Sequence, residues 1–375
     1  MRFVRLNLFS LTLVSTLLLA GCLDVNSSDE AKDDRSVGQL NFHGISGLSY
    51  QTQSQSGEVT EEGKFKYYPG ETLTFWVGDL RIAQDVPAQE FVTLMEFLPE
   101  VRAQLTNAAA DETGLTTHKI TEQALLENSA QQNLIRFILA LNWTSELPRG
   151  QRIDIRQRVI DQLNAILPTV EGGVDFNIPQ NEFANRDSEN LSPANQIISQ
   201  ICFHPEDDER CDTPPTLAEI ENADPVPDDP TLIEEDKIYK EDLQAKRSRI
   251  LLAKRYVDQI KLDAAKSYMT GELNGITTVI SNRYYLDAYV ANHLASDTDI
   301  KTIKIRPIDG SADISDLDAL STRPNDVVLH STSWQEAEVE YFVAGNPEGE
   351  SELLVSFRPE DTYRWIKKQL RVIIE

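Results

Sequence analysis

Gly63-Lys64-Phe65-Lys66-Tyr67-Tyr68-Pro69-Gly70-Glu71-Thr72-Leu73-Thr74-Phe75-Trp76-Val77-Gly78 decides the fold of the first half of the chain. Phe65 and Tyr67, then Leu73, Phe75 and Val77, recur at period two, the pattern of strands with one buried face. Leu48-Ser49-Tyr50-Gln51-Thr52 repeats it upstream. Gly57, Gly63, Gly70 and Gly78 mark the breaks. Short antiparallel strands joined by tight turns follow, with glycine supplying positive φ and Pro69 fixing a negative one.

Downstream the period changes. Ile120, Leu125, Leu126, Leu134, Phe137, Ile138 and Leu141 recur mostly at helical spacing, and glycine is absent until Gly150. Ile153, Val159, Ile160, Leu163, Ile166 and Leu167 form a second stripe, stopped by Pro168. The pair predicts a helical hairpin docked on a small sheet.

These residues resemble a module of bacterial cell-envelope lipoproteins and large surface adhesins. Its pattern runs GLxYxT, a glycine turn, GxFxYxxGExVxFxIG, then a helix with N-x-x-R and a hydrophobic run. Gly47 to Thr52, Gly63 to Gly78 and Asn133-Leu134-Ile135-Arg136 match it, and Val174-Asp175-Phe176 with Phe183 resembles its closing segment. The resemblance covers about 45–185 and implies a small transthyretin-like or Ig-like β-sandwich. Some related chains carry a label linking them to organic-solvent ABC transporters. The module's Asp-rich loop after the helix reads Leu141-Asn142-Trp143-Thr144-Ser145-Glu146-Leu147-Pro148-Arg149-Gly150 here, so its charged oxygen ligands for calcium are gone.

The first residues give an address. Arg2 and Arg5, an apolar run from Leu8 to Leu19 and a close on small residues form a secretory signal too short for a comfortable membrane span. Leu19-Ala20-Gly21-Cys22 resembles the lipobox of bacterial lipoproteins, in which the cysteine thiol receives a diacylglycerol and the chain is cut before it. Removing two arginines takes the formal charge from −26 to −28. Leu23 is not the Asp that favours inner-membrane retention in that family. The expected address is therefore the outer membrane, lipid-anchored, on its periplasmic face or at the cell surface. Cys202 and Cys211 remain, an even pair that reads as a local disulfide in an oxidising space. His204 between them leaves a metal alternative, at a spacing that matches no zinc pattern.

Lys+Arg total 35 against 61 Asp+Glu in 375 residues. A surface this acidic repels phosphate backbones, which excludes general nucleic-acid binding. Thirteen of the acids and five prolines fall between Glu206 and Asp236, which reads as a solvated linker, with a calcium or cationic-partner patch as the alternative. From Ile233 to about Met269 a thin apolar stripe predicts one long charged helix, either a partner-binding element or a helix leaning on the C-terminal sheet. Alternating runs at Ile303/Ile305, Val327/Leu329, Val339/Tyr341/Val343, Leu353/Val355/Phe357 and Leu370/Val372/Ile374 predict an antiparallel meander. Gly345 to Gly349 supplies a hairpin-like turn, and the last strand should be paired.

The expected fold class is α+β. The expected divisions are a signal at 1–21, a tether at 22–37, a β-sandwich with helical hairpin at 38–200, an acidic disulfide-containing linker at 201–232, a long helix at 233–270 and an α+β domain at 271–375. Chemistry is sparse. No phosphate cradle, HExxH or GxSxG elbow occurs. Gly44-Ile45-Ser46-Gly47 has the wrong spacing for a nucleophile elbow, and His43, His118, His204, His293 and His330 are scattered. Asp309, Asp313, Asp316 and Asp318 read as a solvated acidic turn or a weak calcium loop. Trp334, Tyr341, Phe342, Tyr363 and Trp365 are the candidates for an apolar-ligand groove. The sequence thus predicts a non-enzymatic envelope lipoprotein without cofactor or metal, held to the membrane by lipid and binding a protein partner. A lipid- or solvent-binding accessory of an ABC-type system is the alternative, and a hydrolase is a third reading.

Overall fold

A computed structural model describes residues 33–146, 150–187 and 189–375. The signal, Cys22, most of the tether and Arg149 lie outside the described residues. Ser36–Glu375 forms one compact unit, an α+β arrangement of several small sheets and helices.

The N-terminal part is built from β1 (Ser36–Leu40), β2 (Ser49–Gln51), β3 (Ser56–Glu58), β4 (Lys64–Tyr67), β5 (Thr72–Val77), β6 (Leu80–Pro87) and β7 (Phe91–Val92). They make a three-stranded sheet, β4-β1-β7, and a four-stranded one, β3-β2-β5-β6. The predicted alternation is seen directly: Leu73, Phe75 and Val77 of β5 are buried while Thr72, Thr74 and Trp76 are less so. Phe65 joins the sheets, 5.9 Å from the Tyr50 ring and 5.8 Å from that of Phe75. Gly63 and Gly70 sit at φ +80° and +88°, as their turns require, and a Cβ on Gly63 would lie 2.5 Å from Gly44 Cα.

Helices α1 (Lys119–Leu125), α2 (Ser129–Ala140) and α3 (Gln157–Ile166) follow. Asn128 splits the first helical stripe by capping α2, its side chain accepting the Gln131 N–H. Ile153-Asp154 pairs in parallel with Ile45-Ser46 before α3 begins. The predicted two-helix hairpin is therefore not formed. The main helical neighbour of α2 is instead a helix from the last third of the chain.

Two further expectations are corrected. The acidic stretch is not a free linker. It carries α4 (Leu217–Asn222), buries Ile220, and lies against the cationic face of α5 (Lys240–Ala253) through Lys246–Asp212 at 2.6 Å and Arg249–Glu209. Opposite charges supplied by α5 offset the self-repulsion that the composition implied. The long helix is likewise two helices, α5 and α6 (Leu262–Ser281). Between them Val257 is fully buried and donates its N–H to Asn195 Oδ1 at 2.7 Å, which a continuous helix could not do.

The C-terminal part contains β8 (Tyr284–Leu286), β9 (Val290–His293), β10 (Lys301–Pro307), β11 (Ile314–Ser321), β12 (Val327–Ser333), β13 (Glu338–Val343), β14 (Glu350–Pro359) and β15 (Ile366–Ile374). Two four-stranded sheets, β8-β10-β13-β12 and β9-β15-β14-β11, share one core. This is not a simple meander: Gly345 to Gly349 crosses from one sheet to the other, and β9 pairs with β15 in parallel. Alternation names the buried face of a strand but not its neighbour. The last strand is paired on both edges, by β9 and β14.

Helix α6 belongs to both halves. Ala265, Tyr268, Met269 and Leu273 fill the N-terminal core, while Ile276 and Ile280 fill the C-terminal one.

Candidate functional site

Buried polar side chains gather where the N-terminal core, α6 and the C-terminal sheets meet. His118 precedes α1, Glu122 lies one turn on, Glu96 sits in a helical turn after β7, and Tyr363-Arg364-Trp365 connects β14 to β15. Arg364 is only 1% exposed. Its Nη2 lies 4.0 Å from Glu96 Oε1 and its Nε 3.9 Å from Glu122 Oε1, and neither nitrogen has a hydrogen-bond partner. The carboxylates are held from elsewhere: Thr93 N–H donates to Glu96 Oε2 at 2.8 Å, and Tyr363 OH to Glu122 Oε1 at 2.8 Å. Burial pushes both carboxyls above the usual range, against the pull of Arg364.

His118 closes this knot. Its Nδ1 accepts the Trp365 N–H at 2.8 Å, so the ring hydrogen sits on Nε2, which faces Thr277 Oγ1 at 3.3 Å. Burial, with Arg364 nearby, lowers its pKa to about 3, and the ring is neutral. Beside the knot a cleft of about 570 Å³ is lined by Tyr67, Phe91, Arg283, Tyr284, Asp361 and Arg364. It carries both signs of charge, since Glu90 clamps Arg283 at 2.6 and 2.8 Å.

Two other arginines, Arg136 buried and Arg255 half-buried, are satisfied differently. Arg136 of α2 donates from Nε to Ile260 O at 2.8 Å and from Nη2 to Val257 O at 3.2 Å. Arg255 donates to Asn142 O and Trp143 O at 2.5 and 2.6 Å and lies over the Phe203 ring. Both tie the α5–α6 connection to α2 and the turn that follows it. Asn133 of α2 donates to Phe176 O and Ile178 O at 3.0 and 2.9 Å, and Phe137, Phe176 and Phe183 pack ring to ring.

A third pairing joins β1's end to α6. Glu272, 1% exposed, accepts from His43 Nδ1 at 2.6 Å and from His43 N at 2.9 Å. A carboxylate only accepts, so Nδ1 holds a hydrogen and the ring is turned by Glu272 with Nε2 on its far side. His43 borders a cavity of about 150 Å³ that Ser267 and Gly271 also line. Such a dyad can orient a base, yet among the described residues no serine or cysteine hydrogen-bonds a histidine ring.

The predicted site residues are not brought together. Tyr341 is inside the C-terminal core, with its neighbour Phe342 on the opposite face of β13. Trp334 is 45% exposed in a turn, and Tyr363 packs against the N-terminal core. Strand alternation separates Tyr341 from Phe342, Trp334 lies in a turn and Tyr363 and Trp365 in the connection before β15, so the five do not share one groove. Cys202 and Cys211 are joined, with Cα atoms 5.4 Å apart. Among the described residues no group of three or more His, Cys, Asp or Glu is placed to hold a metal, and Asp318 is engaged by Thr116 N–H at 2.9 Å. No helix among them is long and apolar enough to cross a membrane. Nothing in the order of residues marks the Arg364 knot, whose members are spread from Glu96 to Trp365.

No protein-family model matches this chain, and no curated protein matches it. Among solved structures, the crystal structure of the S-layer protein SbsC domains 4 and 5 superposes over 24% of this chain and 50% of that one. The identity is 10% and the TM-score 0.19, and a likeness of that size carries no argument about function.

Proposed function

We propose that this protein is a non-enzymatic lipoprotein of the outer membrane, anchored through Cys22, that supports the envelope or holds a protein partner there. The observation that carries the reading is Leu19-Ala20-Gly21-Cys22 at the close of a secretory signal, with the compact body beginning at Ser36. Two acyl chains hold a protein far more firmly than one, because each buried methylene contributes about 0.8 kcal/mol. The Cys202–Cys211 bond suits an oxidising compartment outside the cytoplasm. A lipid- or solvent-binding accessory role draws no support from the separated aromatics. A hydrolase would need a nucleophile hydrogen-bonded to the His43 ring, whose Nδ1 is held by Glu272.

Metabolic palmitate labelling with membrane fractionation tests the anchor. Label should enter the wild-type chain in the outer-membrane fraction and be lost in Cys22→Ser. Label retained in that variant overturns the reading.

A further inference from the structure

A second cleft, of about 840 Å³, is lined by α1, α6 and the start of β15. Trp365 lines it and is 7% exposed. Its backbone N–H is spent on His118. Its indole N–H donates to no group among the described residues, and it is not one of the polar atoms sealed from solvent. That is unusual for a buried indole, which can only donate and normally finds an acceptor. Lys119 and Gln123, one turn apart on α1, and Asn274 on α6 line the same cleft. Their side chains likewise have no hydrogen-bond or ion-pair partner among the described residues. The hydroxyls of the cleft are in the reverse condition, because each has already given its hydrogen away. Thr116 donates to Asp318 at 2.7 Å, Thr277 to Leu273 O at 3.0 Å, Thr278 to Asn274 O at 2.8 Å and Ser356 to Thr116 O at 2.7 Å. What those oxygens can still do is accept. The charges cancel: Lys119 and Lys367 stand against Asp111 and Glu112, in a protein of formal net charge −26.

We propose that this cleft binds a neutral saccharide. The mixture of spare donors and spare acceptors selects that class. A sugar hydroxyl gives one hydrogen and takes two, so a single ring can accept from Trp365, Gln123 and Asn274 while donating to Thr277 or Ser356. An anion finds no surplus of cations here, and a cation no surplus of acids. An apolar ligand would cover the Trp365 N–H and the two amides without replacing their bonds to water, at the cost of stranding each one. A peptide is recognised through an open strand edge or through apolar anchor pockets. The apolar side chains at this site are Leu115 and Ile366, both buried, and Ile120, which is 42% exposed and can meet the C–H face of a sugar.

The inference goes beyond the anchoring proposal and does not depend on it. Loss of palmitate would change where the chain fractionates, not whether it binds a sugar. The test is calorimetric titration of the full chain in micelles of a detergent without a sugar headgroup. The probes are a tetramer of N-acetylglucosamine, maltotetraose and, as the charged counterpart, tetragalacturonate. At least one neutral tetramer should bind saturably. Preference for the first assigns an N-acetylated glycan of the cell-wall type, and preference for the second a polysaccharide read through hydroxyls alone. Trp365→Phe keeps an aromatic ring and the backbone bond to His118 but removes the indole donor, and should weaken binding about fivefold. Asn274→Ala, at an exposed position on α6, should weaken it by a similar factor with no change in folding. Glu336→Ala, in an exposed turn of the C-terminal part, should bind as the wild type does. Absence of saturable binding by both neutral tetramers up to about 10 mM overturns the proposal. So does binding that neither Trp365→Phe nor Asn274→Ala weakens, or tighter binding of tetragalacturonate than of either neutral probe.

Discussion

The α2 region and the Arg364 knot both bury an arginine between distant parts of the chain, and they do so in opposite ways. Arg136 is satisfied by two backbone carbonyls that cannot titrate. Arg364 faces two carboxylates across gaps of 3.9 and 4.0 Å, with two of its nitrogens unpartnered. The first arrangement is a fixed clip. The second sets one guanidinium against two carboxyls, and burial raises Glu96 and Glu122 while it lowers His118, so the knot is where a pH dependence is expected.

Removing each guanidinium while keeping its bulk breaks the comparison most directly. Arg364→Met leaves two buried carboxylates without a cation and should cost about 3–5 kcal/mol at pH 8 in urea unfolding. Both carboxyls already sit above their ordinary range, so the folded protein takes up protons before the unfolded chain does. The variant should therefore regain stability as pH falls toward 5. Equal cost at both pH values would mean that packing, not charge, dominates the knot. Arg136→Met should cost less, about 1.5–3 kcal/mol, by stranding the carbonyls of Val257 and Ile260. Its cost should not change between pH 8 and 5, and a pH dependence there would erase the distinction.

A finer test isolates His118. Its folded pKa of about 3 lies below the ordinary 6.5. As pH falls through 6.5 the unfolded chain binds a proton that the folded protein refuses. Stability present above 6.5 is thus lost at up to about 1.4 kcal/mol per pH unit until about pH 3. The two carboxyls work in the other direction, so the measurement is the difference between wild type and His118→Gln. That difference should shrink steadily between pH 7 and 5. A constant difference would show that the imidazole contributes only its hydrogen bond to Trp365.

The comparison also separates what could be read from residues in order from what could not. The Arg136 side was partly legible. Asn133, Arg136, Phe176 and Phe183 stood out through the resemblance to the lipoprotein and adhesin module; Asn133 bonds the Phe176 carbonyl and Phe176 packs on Phe183, while Arg136 binds elsewhere, at Val257 and Ile260. Alternation in β5 and the turns at Gly63 and Gly70 were legible because they depend on local backbone geometry. The knot was not legible. Its five charged or ring groups, Glu96, His118, Glu122, Tyr363 and Arg364, sit on three separate segments, and each alone reads as an ordinary polar residue. Strand partners were hidden for a related reason: period two shows which side of β13 and β14 is buried, but not that they belong to different sheets. The break at Arg255 was hidden because carbonyls after α2, more than a hundred residues earlier, supply its reward.

Helix α6 carries a consequence for the order in which the chain can mature. The N-terminal core takes Tyr268, Met269 and Leu273 from it, and the bond from His43 to Glu272 spans 229 positions. Domains usually settle from the N-terminus as synthesis proceeds. Here the earliest strands must wait, unfinished, until the last third of the chain has emerged. The N-terminal core is complete only once residues from the last third of the chain supply these side chains.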